Sequence, residues 1–365
     1  MIGMYQIPSM ARIAQIPWNG YKVVSTFSGA GGSCLGYRMA GFKVVWANEF
    51  IPAAQETYEA NHKGTFLNYN NIRDITASDI IKESGIPYGE IDLFDGSPPC
   101  ASFSTAGARE KHWGEEKKYS DSKERTDDLF LEFTRLLHDL QPKTFIAENV
   151  SGLVKGTAKG MFKMFLQEMK NCGYEVECRL LNAKYLGVPQ SRERVIFMGV
   201  RKDLVQKYDV RPSYPVPSHN IVTLGEALRG VHNSKAELED LREELRHVAI
   251  GRYLRQIPKN PQKPLSYANY TGQTKCFNLV RCSMYHPCPT LTQRGGYKRA
   301  CGVCHPLEDR RFTTSEIKRI QSFPDDFTLT GDYGQQWERV ARSVPPLMMY
   351  RIADRIARDI LCRID

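Results

Sequence analysis

Pro98-Pro99-Cys100 places a cysteine directly after two prolines, at the close of the apolar run Ile91-Asp92-Leu93-Phe94 and its tail Asp95-Gly96-Ser97. The run reads as a buried strand. Its carboxyl edge is where open α/β sheets bind ligands. The prolines fix φ at two successive residues and remove two backbone donors, so the thiol is aimed. A buried cysteine can equally be a small core hydrophobe; a nucleophile needs companions. Two segments supply them. Glu148-Asn149-Val150 follows the apolar strand Phe145–Ala147 and puts a carboxylate at the same kind of edge. Gln190-Ser191-Arg192-Glu193-Arg194 enters a further strand, where alternation would send Arg192 and Arg194 to one side.

A second constellation suits an adenosine-containing ligand. Phe27-Ser28-Gly29-Ala30-Gly31-Gly32 joins a strand to a helix, and such glycines let a ligand approach the backbone at a helix N-terminus. Glu49 ends the next strand, where a carboxylate can accept both ribose hydroxyls. Asp74, in Asn71-Ile72-Arg73-Asp74-Ile75, could meet an adenine amino group. The dinucleotide fingerprint Gly-x-Gly-x-x-Gly fails, because its third glycine position is Cys34.

Alternating elements position these residues. Strands are expected at 22–27, 42–47, 91–94 and 144–147, with helices at 34–39, 51–61, 128–140 and 161–171. Paired strands follow at 174–181 and 194–200. This βα alternation predicts an α/β, Rossmann-like, mostly parallel sheet flanked by helices. The pattern fades after Asp209: prolines cluster at Pro212, Pro215 and Pro217, a charged helix spans 235–246, and residues 267–299 are rich in Tyr, Thr, Cys, Gly, Lys and Arg. That stretch reads as a smaller, irregular domain with a basic, aromatic surface. A helix with apolar periodicity returns over 345–364.

Bulk composition sets the outer bounds. The 365 residues carry net charge +9, with 41% hydrophobic and 25% charged residues, an ordinary globular balance with a bias toward polyanionic partners. No run approaches transmembrane length and no apolar leader opens the chain. Ten cysteines in a chain this long do not form a disulfide framework, so free thiols in a reducing cytoplasm are expected. Cys301-Gly302-Val303-Cys304-His305 mimics a haem-attachment sequence, and Cys276, Cys282 and Cys288 lie nearby, but the spacing matches no regular zinc finger. No metal is assigned.

In order and spacing, these blocks resemble the DNA cytosine-C5 methyltransferases, and the resemblance runs from Tyr21 onward. Beside those above it rests on Pro289-Thr290-Leu291-Thr292, Gly295-Gly296 and Gln321-Ser322-Phe323-Pro324. It implies that a cytosine is flipped out of double-stranded DNA. Cys100 would attack C6, Glu148 would hold N3 and the exocyclic amine, and Arg194, with Arg192 beside it, would stabilise charge at O2. S-adenosylmethionine would lie against Phe27, Ser28, Gly29, Ala30 and Gly31, with Glu49, Phe50, Asp74, Ile75, Pro99 and Leu129 around it. Ser343 and Val344 would touch its amino-acid end. Ser104, Arg294, Gly295 and Gly296 would approach DNA. Residues 1–20 would be an arm, 21–201 the catalytic and donor-binding domain, 202–309 the target-recognition domain, and 310–365 a segment returning to the catalytic domain. A monomer is expected, since one flipped base needs one site. It would act at the DNA in the cytoplasm of a bacterial or phage-infected cell, with a cognate restriction nuclease as a potential partner.

Two positions depart from the family pattern. Ala101 stands where Gln usually follows the cysteine, at a tolerant position. Arg342, in Ala341-Arg342-Ser343-Val344, stands where Asn is usual, close to the transferred methyl in the family fold. Two like charges about 5 Å apart at an effective dielectric of about 20 repel by roughly 3 kcal/mol, and the donor is a sulfonium cation. A donor with a carboxylate on the transferred carbon, carboxy-S-adenosylmethionine, would reverse the sign and yield 5-carboxymethylcytosine. The competing expectation is that Arg342 turns away, pairs with a nearby acid, or binds the donor's α-carboxylate or a DNA phosphate. A tRNA cytosine-C5 methyltransferase shares most of the blocks, but its usual Cys-Phe-Thr signature is absent. An NAD oxidoreductase would leave Pro-Pro-Cys and Glu-Asn-Val unexplained. A catalytically dead relative would be expected to lose Cys100 or Glu148.

Overall fold

The computed structural model describes residues 5–99, 117–119, 122–124, 128–155, 159–246, 248–273, 276, 278–297 and 300–364. Cys100, Ala101 and Ser104 lie outside the described residues. The chain divides into two compact units. One comprises residues 13–181, 193–216 and 349–365, and the other residues 1–12, 182–192 and 217–348.

The first unit is built on seven strands: β1 (Lys22–Thr26), β2 (Lys43–Asn48), β3 (Phe66–Asn68), β4 (Leu93–Gly96), β5 (Thr144–Val150), β6 (Tyr174–Asn182) and β7 (Glu193–Arg201). Their order across the sheet is β3-β2-β1-β4-β5-β7-β6. The pairs β1–β2, β2–β3, β1–β4 and β4–β5 are parallel, and β7 runs antiparallel to β5. Parallel neighbours need crossovers. The helices α1 (Gly32–Met39), α2 (Pro52–Asn61), α3 (Ala77–Ser84), α4 (Leu129–Leu140) and α5 (Lys159–Asn171) lie in these connections. The sheet is thus Rossmann-like and mostly parallel, as the alternation implies. β3, α3 and a short helix at Lys202–Tyr208 are among the elements the sequence reading did not foresee; a strand of three residues gives periodicity too little to work with.

The order puts a topological switch between β1 and β4. From β1 the chain proceeds outward through β2 and β3, then returns to β4 on the other side. Loops leaving adjacent strands in opposite directions open a crevice at the carboxyl ends. The Phe27–Gly32 turn and the Ser97-Pro98-Pro99 segment are those two exits.

An aromatic layer holds α4 on the sheet. Phe94 stacks on Phe133 at 5.0 Å, Phe130 on Phe165 at 3.7 Å, and Phe145 meets Tyr174 edge-on at 5.1 Å. These side chains are fully buried, with Leu136, Leu137 and Leu140 of α4 beside them. Packing of this kind adds ring-ring attraction to apolar burial. It also requires two gaps. Gly199 pairs with Phe145 across β7–β5, and a Cβ there would meet the Phe145 ring at 2.0 Å. A Cβ on Gly96 would meet Phe133 at 2.5 Å and Thr26 Oγ1 at 2.8 Å.

The second unit has little regular structure. Its three-stranded sheet consists of residue pairs 265–266, 280–281 and 303–304. Side chain–backbone bonds replace the missing ladder. Arg281, wholly buried, donates to the carbonyls of Leu254, Ile257, His305 and Glu308 and pairs with Asp309 at 2.6 Å. Arg310 is bidentate to Glu316, each bond 2.8 Å, and Arg311 pairs with Glu244 of α6 (Lys235–Arg246). Of the basic residues expected at the surface of 267–299, Arg281 is instead internal; Arg310 and Arg311, beyond that stretch, are internal as well, because short strands leave carbonyls that need donors. Two further helices matter below: α7 (Thr314–Ile320) and α8 (Tyr333–Arg342). Residues 5–12 belong to this unit, tied by Tyr5 OH donating to Arg319 O and Met10 N to the Asp326 carboxylate. No helix among the described residues is long and apolar enough to cross a membrane.

Gly199→Ala is expected to lower unfolding stability by about 1–3 kcal/mol, the usual cost of overpacking. Phe145→Leu in the same chain should recover part of it in denaturant melts. Additive losses would mean that the two positions do not share the space.

Candidate active site

The carboxyl end of β1 turns sharply. Phe27, Gly29 and Gly31 all have positive φ, at 53°, 56° and 84°. Phe27 pays for this conformation with local strain, which marks the turn as a built feature. The Glu49 carboxylate locks it, accepting from Gly29 N at 2.7 Å and from Ile51 N at 2.7 Å. Below the turn lies a residue that sequence reasoning missed. A Cβ on Gly31 would sit 2.0 Å from His62 Nε2, so the glycine is demanded by a ring as well as by φ. His62 stacks on Tyr58 at 4.3 Å. Burial, with the charge of Arg38 behind it, pulls the His62 pKa down to about 3, so the floor is a neutral imidazole.

The other exit is fixed from β5. Asn149 Nδ2 donates to Pro98 O at 3.3 Å. The asparagine of Glu-Asn-Val therefore ties the strand carrying the acid to the segment carrying the cysteine. Its role left no signal beyond its place in the motif. One residue earlier, Glu148 pairs with Arg194 Nε at 2.6 Å, both nearly buried. Desolvation lowers the Arg194 pKa and the Glu148 charge opposes that shift. Antiparallel pairing sets this up: Val150 faces Arg194 and Glu148 faces Ile196.

Most first-unit candidates gather on these loops, with differing exposure. Ser28, Ala30 and Glu49 are buried, Phe27 and Pro99 half-buried, and Phe50 and Asp74 exposed. Ile75 and Leu129 are core residues, at 2% and 1% exposure, so any contact with a ligand would need movement. The carboxylate of Glu49 keeps acceptor capacity after its two backbone bonds, since each oxygen has two lone pairs. The donor set thus fits the adenosine part of S-adenosylmethionine: a hydroxyl acceptor, an open backbone turn, and an exposed carboxylate at Asp74.

The remaining candidates belong to the second unit. The alternation meant to set Arg192 beside Arg194 is interrupted. Residues 190–191 pair with 288–289, and the large-sheet strand resumes only at Glu193. The Arg192 guanidinium, 1% exposed, faces Leu291 O and Arg342 O, each at 3.4 Å. Gln321 Nε2 donates to Ser343 O at 2.6 Å, and Val344 is buried. Gly295 and Gly296 pack under Trp337, where added Cβ atoms would fall 2.9 and 2.5 Å from its side chain, while Arg294 is exposed.

Arg342 has an acid partner. Its Nη2 lies 2.7 Å from Glu338 Oε1, one turn earlier on α8. Glu338 is wholly buried and also accepts from Gln293 Nε2 at 3.2 Å and from Tyr297 OH. Of the expectations for this position, the pairing with a nearby acid is the one observed. Among the described residues no group of three or more His, Cys, Asp or Glu could hold a metal ion. The described cysteines are free, and Cys282 and Cys288 approach to 3.8 Å in the core.

A family model described as C-5 cytosine-specific DNA methylase matches residues 21–358. The type II methyltransferase M.Sau96I of Staphylococcus aureus is 34% identical over 93% of this chain and 77% of its own. The type II methyltransferase M.NgoPII of Neisseria gonorrhoeae is 30% identical over 94% and 97%. Among solved structures, a prophage-encoded Escherichia coli protein described as a DNA modification methyltransferase aligns with a TM-score of 0.70 at 22% identity. That alignment covers 94% of this chain and all of the other, and it speaks to the fold alone.

Asn149→Ala should leave the fold intact but release Pro98. The change removes two hydrogen bonds, the one to Pro98 O and one accepted from Val150 N, each worth about 1 kcal/mol. We expect kcat on DNA to fall several-fold with the KM for S-adenosylmethionine unchanged; a rise in that KM alone would place Asn149 elsewhere.

Proposed function

Since the chain belongs to the C-5 cytosine-specific DNA methylase family, we propose that Cys100, Glu148 and Arg194 methylate C5 of a cytosine flipped out of double-stranded DNA. One observation carries this reading. The acid and arginine meet at 2.6 Å, and the residue beside the acid holds the Pro-Pro segment that leads to the cysteine. A carboxylate and a guanidinium are thereby placed at the sheet edge from which the Pro-Pro segment departs.

Each has a distinct task in a C5 transfer. Cys100 adds to C6 as a thiolate. Glu148 binds N3 and the exocyclic amine, which makes C6 electrophilic and then supports the electron-rich ring. Arg194 donates to O2, where negative charge develops, in a site that excludes water. Their mutual ion pair holds both at low solvent exposure before the base arrives. S-adenosylmethionine, the donor implied by the family, supplies an electrophilic methyl carbon when bound. Loss of the C5 proton and β-elimination then free Cys100. The Phe27–Gly31 turn, Glu49 and Asp74 would hold the donor's adenosine, with Phe50 and Pro99 as apolar walls. Arg192 is read as a brace for residues 291 and 342, not as a contact to the base. Arg294 is the exposed candidate for a DNA contact, the adjacent glycines being packing. The region 202–309 would read the target sequence, in a monomer, alongside a cognate restriction nuclease like those implied by the relatives' type II designation.

The Arg342–Glu338 pair bears on the donor. A cation already matched by a buried carboxylate does not call for an anionic transferred group, so methyl is the preferred reading over carboxymethyl. Arg342→Asn should leave 5-methylcytosine as the product, with carboxy-S-adenosylmethionine a poor donor before and after the change. Mass analysis of nucleosides reads this directly, and carboxymethyl product from the parent protein would reverse the preference. For the nucleophile, DNA containing 5-fluorocytosine should trap a denaturation-resistant complex with S-adenosylmethionine present. Cys100→Ala should abolish it; an adduct that persists would remove Cys100 from the mechanism.

A further inference from the structure

Asp95 is a carboxylate in the middle of the sheet, five residues before the cysteine and 1% exposed. Its two oxygens are used separately: Ser25 Oγ donates to Oδ2 at 2.8 Å and Tyr37 OH to Oδ1 at 2.7 Å. Ser28 Oγ in turn donates to Ser25, within 3.0 Å of its Oγ, so the network reaches the turn of residues 27–31. Among the described residues no arginine or lysine forms an ion pair with Asp95. Burying a carboxylate without a cation is costly. Hydroxyl donors offset part of that cost, yet a core of this fold needs no acid at the position. Its register partners are Ser25 of β1 and Ile146 of β5.

The groups around it are neutral or already paired. From α1, Tyr37 and Cys34 face it, and burial raises both pKa values, that of Cys34 to about 11. From α2, Tyr58 reaches Cys34 and is likewise held protonated by burial. From β5, Glu148 adds negative charge, and Arg194 neutralises it. Burial pushes the Asp95 pKa itself up to about 7. A cation entering the adjacent crevice would favour its charged form.

We propose that Asp95 is a buried counter-charge for the donor's sulfonium and determines preference for charged donor over neutral-sulfur product. This rests on the reading of the β1–β4 crevice as the donor site. Donor and product share the adenosine and the α-ammonium; they differ by a methyl and one positive charge on sulfur. Neighbouring strands are about 4.8 Å apart, so a charge at the mouth of β1 lies within roughly two strand spacings of Asp95. At that range, and an effective dielectric of about 20, the ionised carboxylate should favour the cation about tenfold. Protonation removes the preference. Donor discrimination is therefore gained as pH rises through 7, and each turnover, by removing the charge, weakens the hold on product.

The test is calorimetric binding of S-adenosylmethionine and S-adenosylhomocysteine to the full chain, from about pH 6 to about pH 8.5, a range that brackets a carboxyl titrating near 7. The ratio of the two dissociation constants cancels the shared α-ammonium. Over that range it should shift about fivefold toward the donor, with a midpoint somewhat below 7, because the donor's charge lowers the carboxyl's own pKa in that complex. Asp95→Asn should hold it flat at its low-pH value. Tyr37→Phe, which removes one bond to the carboxylate, should move the midpoint upward without erasing it. A ratio independent of pH in the parent protein, or a pH dependence that survives Asp95→Asn, overturns the inference while leaving the donor site standing. If neither ligand binds at any pH, the donor-site reading fails and takes this inference with it.

Discussion

Everything at this site depends on two neighbouring parallel strands whose chains leave in opposite directions. β1 and β4 are hydrogen-bonded partners, but β1 continues toward β2 while β4 continues toward β5. The crevice that results needs no special residue. What the sequence adds is how each exit is stiffened: positive-φ residues and the Glu49 carboxylate on one side, two prolines and Asn149 on the other. The backbone on both sides of the crevice thus has a position set by the sheet.

Electrostatics divides the residues around the crevice into matched and unmatched groups. Glu148 and Arg194 are matched. A matched pair can hold a neutral or dipolar ring, with each member ready for a different edge of it. Among the described residues Asp95 is a buried carboxylate without a cation, and its hydroxyl partners lead to the turn of residues 27–31. His62 extends the same logic. A ring kept neutral by burial supports the turn without adding charge to it.

The large sheet was legible because its strands and helices are long enough to show a period. Lys22–Thr26, Thr144–Val150 and Leu129–Leu140 were readable within a few residues. The second unit was not, because strands of two residues have no period and its order comes from arginines bonded to carbonyls, Arg281 above all. A sequence shows that Arg281 is basic, not that it points inward. The site was legible in its motif residues and illegible in their supports. Asn149, His62 and Asp95 act through contacts with residues 51, 31 and 70 positions away, respectively, which no local pattern encodes. Arg192 misled for the opposite reason: alternation was assumed to continue through a position where the strand breaks.

The most direct measurement of the central claim is mass spectrometry of nucleosides from double-stranded DNA incubated with the purified protein and S-adenosylmethionine labelled in its methyl group. The roles proposed for Cys100, Glu148 and Arg194 predict labelled 5-methyl-2′-deoxycytidine and unmodified adenine. Label on the cytosine exocyclic nitrogen or on adenine would contradict it, since neither reaction has use for a thiol aimed at C6.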